Sequence, residues 1–294
     1  MNEILTIDNA GKLFSRADEI ENSADSFLIY GGSKDGKTWA AGTAGHRNLF
    51  ISIGNGHKTI MSPGFKKLVG ANPIVKVIYE EYDKYGCCLK PTAYDEVCAY
   101  IDYAFTNFIN EFDFLTVDDG TALSKFAQNK GIAENDKDGK SKTMKKAEKT
   151  HIMSPAIQDF GAEMNLVWQF LNYYIGLCKQ HNKHFVLTAH TRETWVKKPD
   201  AKIGEPKELF SITPAFTGET FPDVVQGMFD NVIKMEAVGG GSNTVYRALT
   251  AGDEKIVAGM RSSGIFETVE RNPNLLNFVE RIKKGELHKN FRGT

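Results

Sequence analysis

The sequence predicts an α/β fold: a mainly parallel sheet flanked by helices, with an antiparallel β extension toward the C terminus. Three observations predict it. Short apolar segments at Ser26–Tyr30, Leu49–Ile53, Ile74–Tyr79, Phe114–Val117 and His184–Leu187 alternate with helical or irregular stretches. The first of them runs straight into a glycine-rich bend. Later, Val232–Val238, Thr244–Leu249 and Ile256–Met260 alternate more strictly and lie close together, as in a meander.

The elements follow in order. Residues 1–24 read as an irregular or short helical lead-in, and Thr38–Ala44 starts a helix after the bend. Thr92–Asn110 is a helix, with Thr92 as its cap, Asp95 three residues on, and Val97, Ile101, Phe105 and Phe108 on one face. Residues 127–156 are lysine-rich and poorly periodic, which predicts a mobile loop. Met164–Cys178 is a helix presenting Val167, Phe170, Leu171, Tyr174 and Cys178 on one side. Residues 191–220 read as a second long polar insertion. Gly239–Gly241 turns the chain, and a last helix, Leu275–Lys284, stops at Gly285. No internal repeat is evident, so residues 25–270 form the core and 271–294 a helix and tail.

Composition bounds the function. The 294 residues can bury a full core, and 41% hydrophobic with 25% charged residues is ordinary for a soluble globular protein. No apolar run approaches the roughly 20 residues that span a bilayer, and the first 25 residues lack a signal-peptide pattern. The expectation is a cytoplasmic protein without a membrane partner. A formal net charge of −1 excludes a strongly basic nucleic-acid coat, so any such contact rests on local patches. Cys87, Cys88, Cys98 and Cys178 form no C-x-x-C and read as reduced thiols, two of them in or near the core.

The stretch SFLIYGGSKDGKTWA fits G-x-x-x-x-G-K-[ST] at Gly31, Gly36, Lys37 and Thr38. A bend of this kind points backbone N–H groups inward, and the helix that follows adds its positive end. Lys37 is placed to reach the β- and γ-phosphates of a nucleotide, and Thr38 to hold Mg²⁺. The candidate cradle is therefore Gly31, Gly32, Ser33, Lys34, Asp35, Gly36, Lys37, Thr38 and Trp39. The pattern does not require Lys34, which reads either as a solvated loop residue or as a contact to nucleotide or a neighbouring subunit.

A second element, FDFLTVDDGTALSKF, delivers Asp118 and Asp119 at the carboxyl end of an apolar strand, where open α/β sheets bind ligands. Asp118 is the expected magnesium partner. Asp119 reads either as a residue that orients water or as a helix-capping acid. A third, HFVLTAH, ends a strand at His190, which reads either as a γ-phosphate contact or as a structural histidine. His181 and His184 are expected at the surface.

The segments YGGSKDGKT, FDFLTVDDGTALS, QDFGAEMNLVWQFLN, HFVLTAHTRE and IVAGMRSSGIFE, in this order, resemble phage nucleotide-binding ATPases of the RecA-like class, including the Sak-type single-strand annealing proteins. The resemblance covers residues 24–270. It implies a RecA-like P-loop core binding ATP and Mg²⁺ at the sheet's carboxyl edge, often between subunits of a homo-oligomeric ring or filament. It implies that the loops at 127–156 and 191–220 face single-stranded DNA. Lys130, Lys137, Lys140, Lys142, Lys145, Lys146 and Lys149 populate the first; Arg192, Lys197, Lys198 and Lys202 surround Trp195 in the second. Interleaved acids leave open that both are merely solvated. The family's water-activating glutamate is replaced by ISIGNGH, so hydrolysis falls to Asp119, Glu80 or Glu81, or is slow. Arg261 carries over as a catalytic contact to the γ-phosphate of a neighbouring subunit, or is a surface residue. The implied function is an ATPase of phage DNA recombination, with a single-strand binding protein as a further partner. The alternative is a nucleotide-dependent switch or assembly NTPase that docks a protein and no DNA.

Overall fold

A computed structural model describes residues 24–84, 86, 88–137, 155, 157–197, 206–218, 220–262 and 264–289. In chain order the larger elements are β1 (Ser26–Gly31), α1 (Lys37–Gly42), β2 (Asn48–Ile53), α2 (His57–Met61), α3 (Pro63–Val69), β3 (Ile74–Ile78), α4 (Ala93–Asn107), β4 (Phe114–Asp118), α5 (Gly120–Lys137) and α6 (Ile157–Gln180). They continue with β5 (His184–Val196), β6 (Glu208–Pro214), α7 (Phe221–Val225), β7 (Asn231–Val238), β8 (Val245–Leu249), β9 (Gly259–Met260), β10 (Val269–Arg271) and α8 (Leu275–Lys284).

One sheet carries the molecule, in the order β10-β8-β7-β1-β5-β4-β2-β3. β7, β1, β5, β4, β2 and β3 run parallel, while β8, β9 and β10 add antiparallel pairs at one end. This is the expected architecture. Period-two alternation splits each central strand between two cores. Leu28 and Tyr30 of β1, Leu115 and Val117 of β4, and Phe185 and Leu187 of β5 face one core, shared with α4, α5 and α6. Phe27, Ile29, Phe114 and Val186 face the other, shared with α1, α3 and α8. Both faces are covered, which is why the strands read as continuous apolar runs.

Several expectations are corrected. The mobile loop expected from residue 127 is helix α5 as far as Lys137. Phe126, Ala127 and Ile132 are buried, and Lys130 pairs with Asp95 of α4 rather than lining a free loop. The five lysines from 140 to 149 lie outside the described residues, as do residues 1–23, Cys87, Lys198 and Lys202. The polar insertion expected at 191–220 is largely a hairpin: β5 continues to Val196 and pairs antiparallel with β6, with a bulge between Thr194 and Trp195. The strand expected at Ile256–Met260 is only Gly259–Met260. Thr92 holds the N-cap position of α4, but its hydroxyl donates to Glu96, 3.0 Å away, rather than accepting a backbone N–H. His184 is buried, not at the surface: it stacks on Phe114 and its Nδ1 accepts the Asp25 N–H. Cys88, Cys98 and Cys178 are free thiols, with Cys178 in the core. Among the described residues no helix is long and apolar enough to cross a membrane.

Candidate nucleotide site

β1 delivers the chain to the bend at the sheet's carboxyl edge, and the first turn of α1 brings it back. Lys34 and Gly36 take left-handed backbone conformations, φ 70° and 88°, which curl the loop. At Gly36 a side chain is also excluded by contact, because a Cβ there would lie 2.5 Å from the Tyr246 ring. Asp35 closes the loop from within: its carboxylate accepts the Gly32 N–H at 2.6 Å. Ser33 and Lys34 are exposed at the tip. Lys37 is 7% exposed, and its amine donates to the Gly32 carbonyl at 2.7 Å. Burial pulls the Lys37 pKa down, while Asp119, Asp118 and Asp35 oppose that shift. The amine thus sits inside the loop, among its backbone groups, where a phosphate would compete for it.

Strand alternation builds the acidic side of the site. Ser52 pairs in register with Asp118, and Val117 with Leu187, so Thr188 falls level with Asp118 on the next strand. Ser52, Asp118 and Thr188 are all buried on the face that carries α1. Thr38 Oγ1 lies 3.1 and 3.0 Å from the two Asp118 oxygens. Thr188 Oγ1 donates to Asp118 Oδ1 at 2.5 Å. Burial pushes the Asp118 pKa up to about 6, and the hydroxyl donors hold it back. The Ser52 hydroxyl accepts the His57 N–H at 2.9 Å, fixing the turn that brings Gly56 against the carboxylate. A Cβ on Gly56 would lie 1.8 Å from Asp118 Oδ2.

Asp119 takes the helix-capping one of its two expected roles, and it also meets His190. Its Oδ1 accepts the Ala122 N–H at 2.6 Å, capping α5, and its Oδ2 lies 3.2 Å from His190 Nε2. His190 is level with Gly31 across the β1–β5 ladder, so it flanks the start of the bend. Its backbone N–H donates to Thr121 of α5. Trp39 packs edge-on against Phe65 and close to Tyr246. With Tyr246, Thr43, Thr244 and Asn274 it lines a cavity of about 430 Å³ beside α1. Glu80 lies beyond β2, engaged by Tyr82 and Asn129 rather than by the Asp118 cluster. Arg261 is not brought to the site in its own chain. It follows β9 at the amino end of β7, where it pairs with Asp230 at 2.9 Å.

A family model described as an AAA domain (AAA_24) matches residues 23–262. The chain belongs to the AAA domain family. The match spans the bend, the Asp118 strand, the His190 strand and the antiparallel strands as far as β9, and agrees with a P-loop ATPase fold. Among solved structures, a KaiC-like protein from the hyperthermophilic archaeon Pyrococcus horikoshii is similar at 12% identity with a TM-score of 0.38, covering 77% of this chain and 78% of that one. No curated protein matches the sequence.

Sequence reasoning missed Thr188, Ser52, Gly56 and Tyr246. The first two were findable: once Asp118 is placed on a strand, alternation puts a polar residue at the same level on each neighbour. Gly56 and Tyr246 meet the site only through tertiary packing.

Proposed function

We propose that this AAA domain binds ATP with Mg²⁺ and hydrolyses it slowly, and that it serves phage DNA recombination by gripping single-stranded DNA. One observation carries the nucleotide reading: the Thr38 hydroxyl meets the Asp118 carboxylate at 3.0 Å, directly after a bend that encloses the Lys37 amine. The donor set suits the metal. Among the described residues no cluster of three or more His, Cys, Asp or Glu side chains could hold an ion. A hydroxyl and one carboxylate are hard oxygen ligands that leave the remaining positions to water and phosphate, as Mg²⁺ prefers.

In this reading Lys37 leaves the Gly32 carbonyl for the β- and γ-phosphates, while the loop amides and the start of α1 hold the remaining charge. Thr38 and Asp118 would hold the metal, which would supply neutralisation of the charge that develops on the phosphate oxygens. In this reading the Asp119–His190 pair orients water, and because Asp119 also caps α5, turnover is slow. The cavity walled by Trp39 and Tyr246 suits a flat, aromatic base.

The DNA reading rests on the β5–β6 hairpin. Trp195 and Phe210 are 49% and 61% exposed on it, and Arg192, Lys197 and Lys207 accompany them. Exposed rings stack on unpaired bases, and cations neutralise phosphates. The test is ATP turnover measured with and without single-stranded DNA. Stimulation that is lost in the double variant Trp195→Ala/Phe210→Ala supports the reading. Turnover indifferent to DNA, with no DNA binding by the wild type, favours the second reading, a nucleotide switch that docks a protein. That alternative draws on Phe160, Met164 and Trp168, which leave an exposed apolar row along α6.

A further inference from the structure

Thr188 has no place in the roles assigned above. It is fully buried on β5, the strand between β1 and β4, and it reaches Asp118 from that neighbouring strand. The Asp118 carboxylate is therefore confined on three sides. Thr38 faces both its oxygens, Thr188 donates to Oδ1, and the Gly56 backbone closes against Oδ2. These neighbours are not equivalent. Thr38 stands in the first turn of α1 and is itself the expected metal ligand. Gly56 sets only a steric limit. Thr188 is a buried donor whose hydroxyl bonds to this carboxylate.

We propose that Thr188 is a positioning residue for magnesium: its hydroxyl fixes the Asp118 carboxylate in the orientation that meets the ion beside Thr38. This rests on the reading of Asp118 as the metal carboxylate and deepens it. The physical case is that a carboxylate held by the Thr38 hydroxyl alone can rotate about its last bond. A second donor from a rigid central strand removes that freedom before the ion arrives. Partners that orient a metal ligand typically change metal affinity by about 10–100-fold when removed. A merely space-filling threonine predicts otherwise, because valine fills nearly the same volume.

The experiment is equilibrium binding of a fluorescent ATP analogue to the full chain, in EDTA and across a Mg²⁺ titration, with thermal melting as a control. For Thr188→Val, affinity in EDTA stays within about twofold of wild type. The Mg²⁺ concentration giving half of the magnesium-dependent gain rises about tenfold. Thr188→Ser, which keeps the hydroxyl, restores the wild-type value. A wild-type magnesium titration in Thr188→Val, or an equal loss with and without magnesium, overturns the proposal while leaving the nucleotide reading intact. If Thr188→Val does not fold, Thr188→Ser and Thr188→Ala are compared: equal magnesium titrations overturn the proposal, and a rise confined to alanine supports it. Wild-type binding that never responds to magnesium overturns both readings.

Discussion

Lys37 and Gly56 test the site from its two sides. The Lys37 amine is held by one neutral carbonyl and three surrounding acids, so a phosphate offers it a stronger, charge-assisted partner. Replacing it by alanine removes roughly two such bonds, or about 3 kcal/mol. Lys37→Ala is expected to weaken ATP binding about 100-fold in an equilibrium titration. Affinity unchanged in the mutant would end the assignment of the bend. Gly56 is a cleaner probe of the metal side. Its backbone is helical, φ −56° and ψ −37°, so alanine meets no dihedral penalty there. What alanine meets is Asp118 Oδ2, 1.8 Å from the new carbon. The carboxylate must then move, and Gly56→Ala is expected to lose the magnesium-dependent part of nucleotide binding while keeping wild-type circular dichroism.

At the scale of the element, β5 joins a buried half to a projecting half, and each half has its own chemistry. The buried half opens at His184, whose ring is stacked at 4.7 Å on Phe114. Burial first, then the charge of Lys283, holds its pKa down at about 4, against 6.5 for a free histidine; the Asp113 carboxylate acts the other way. The unfolded chain thus takes up this proton near pH 6.5, and the folded chain not until about pH 4. The stability His184 contributes is whole above pH 6.5 and is lost as the pH falls toward 4, by at most about 3 kcal/mol. His184→Asn keeps an acceptor for the Asp25 N–H, and melting temperatures between pH 7 and 5 should fall less steeply in it than in the wild type. Parallel curves would contradict the assignment. The strand's apolar run made its buried half legible in the sequence. The projecting half was not, because Thr191–Val196 pairs only with β6 and its composition is that of a loop. Helix α5 was illegible for a related reason. Ser124, Gln128 and Asn129 are buried polar residues, and Ser124 bonds to Glu163 of α6, so the apolar stripe that announces a helix is interrupted. The bend and the Asp118 strand could be read because their chemistry depends on residue type at fixed spacing. Gly56, which closes against Asp118, could not, since it meets the carboxylate only through tertiary packing.

At the scale of the whole molecule, the sheet separates Arg261 from the nucleotide bend of its own chain. β9 pairs with β7 at Asn231 and Val232, whereas Gly31 lies level with Met235. Four residues of strand, about 13 Å, divide the two levels, and Arg261 lies beyond the amino end. Its guanidinium, 67% exposed, is held on its outer side of the sheet by Asp230. Asp230 is itself anchored by Ser26 and Lys179, so the arginine has a fixed base and a free approach from outside. A contact with a γ-phosphate therefore needs a second copy whose bend meets this edge. The consequence is a separation of effects. Arg261→Ala should bind ATP as the wild type does, because binding uses the chain's own bend. Turnover per chain in the wild type should rise with protein concentration as chains associate, and in Arg261→Ala it should stay flat at the low value of the dilute protein. Sedimentation alongside the rate measurement separates the cases: an arginine variant that assembles and turns over like the wild type leaves Arg261 a surface residue, and a wild-type rate per chain independent of concentration removes the need for a neighbour.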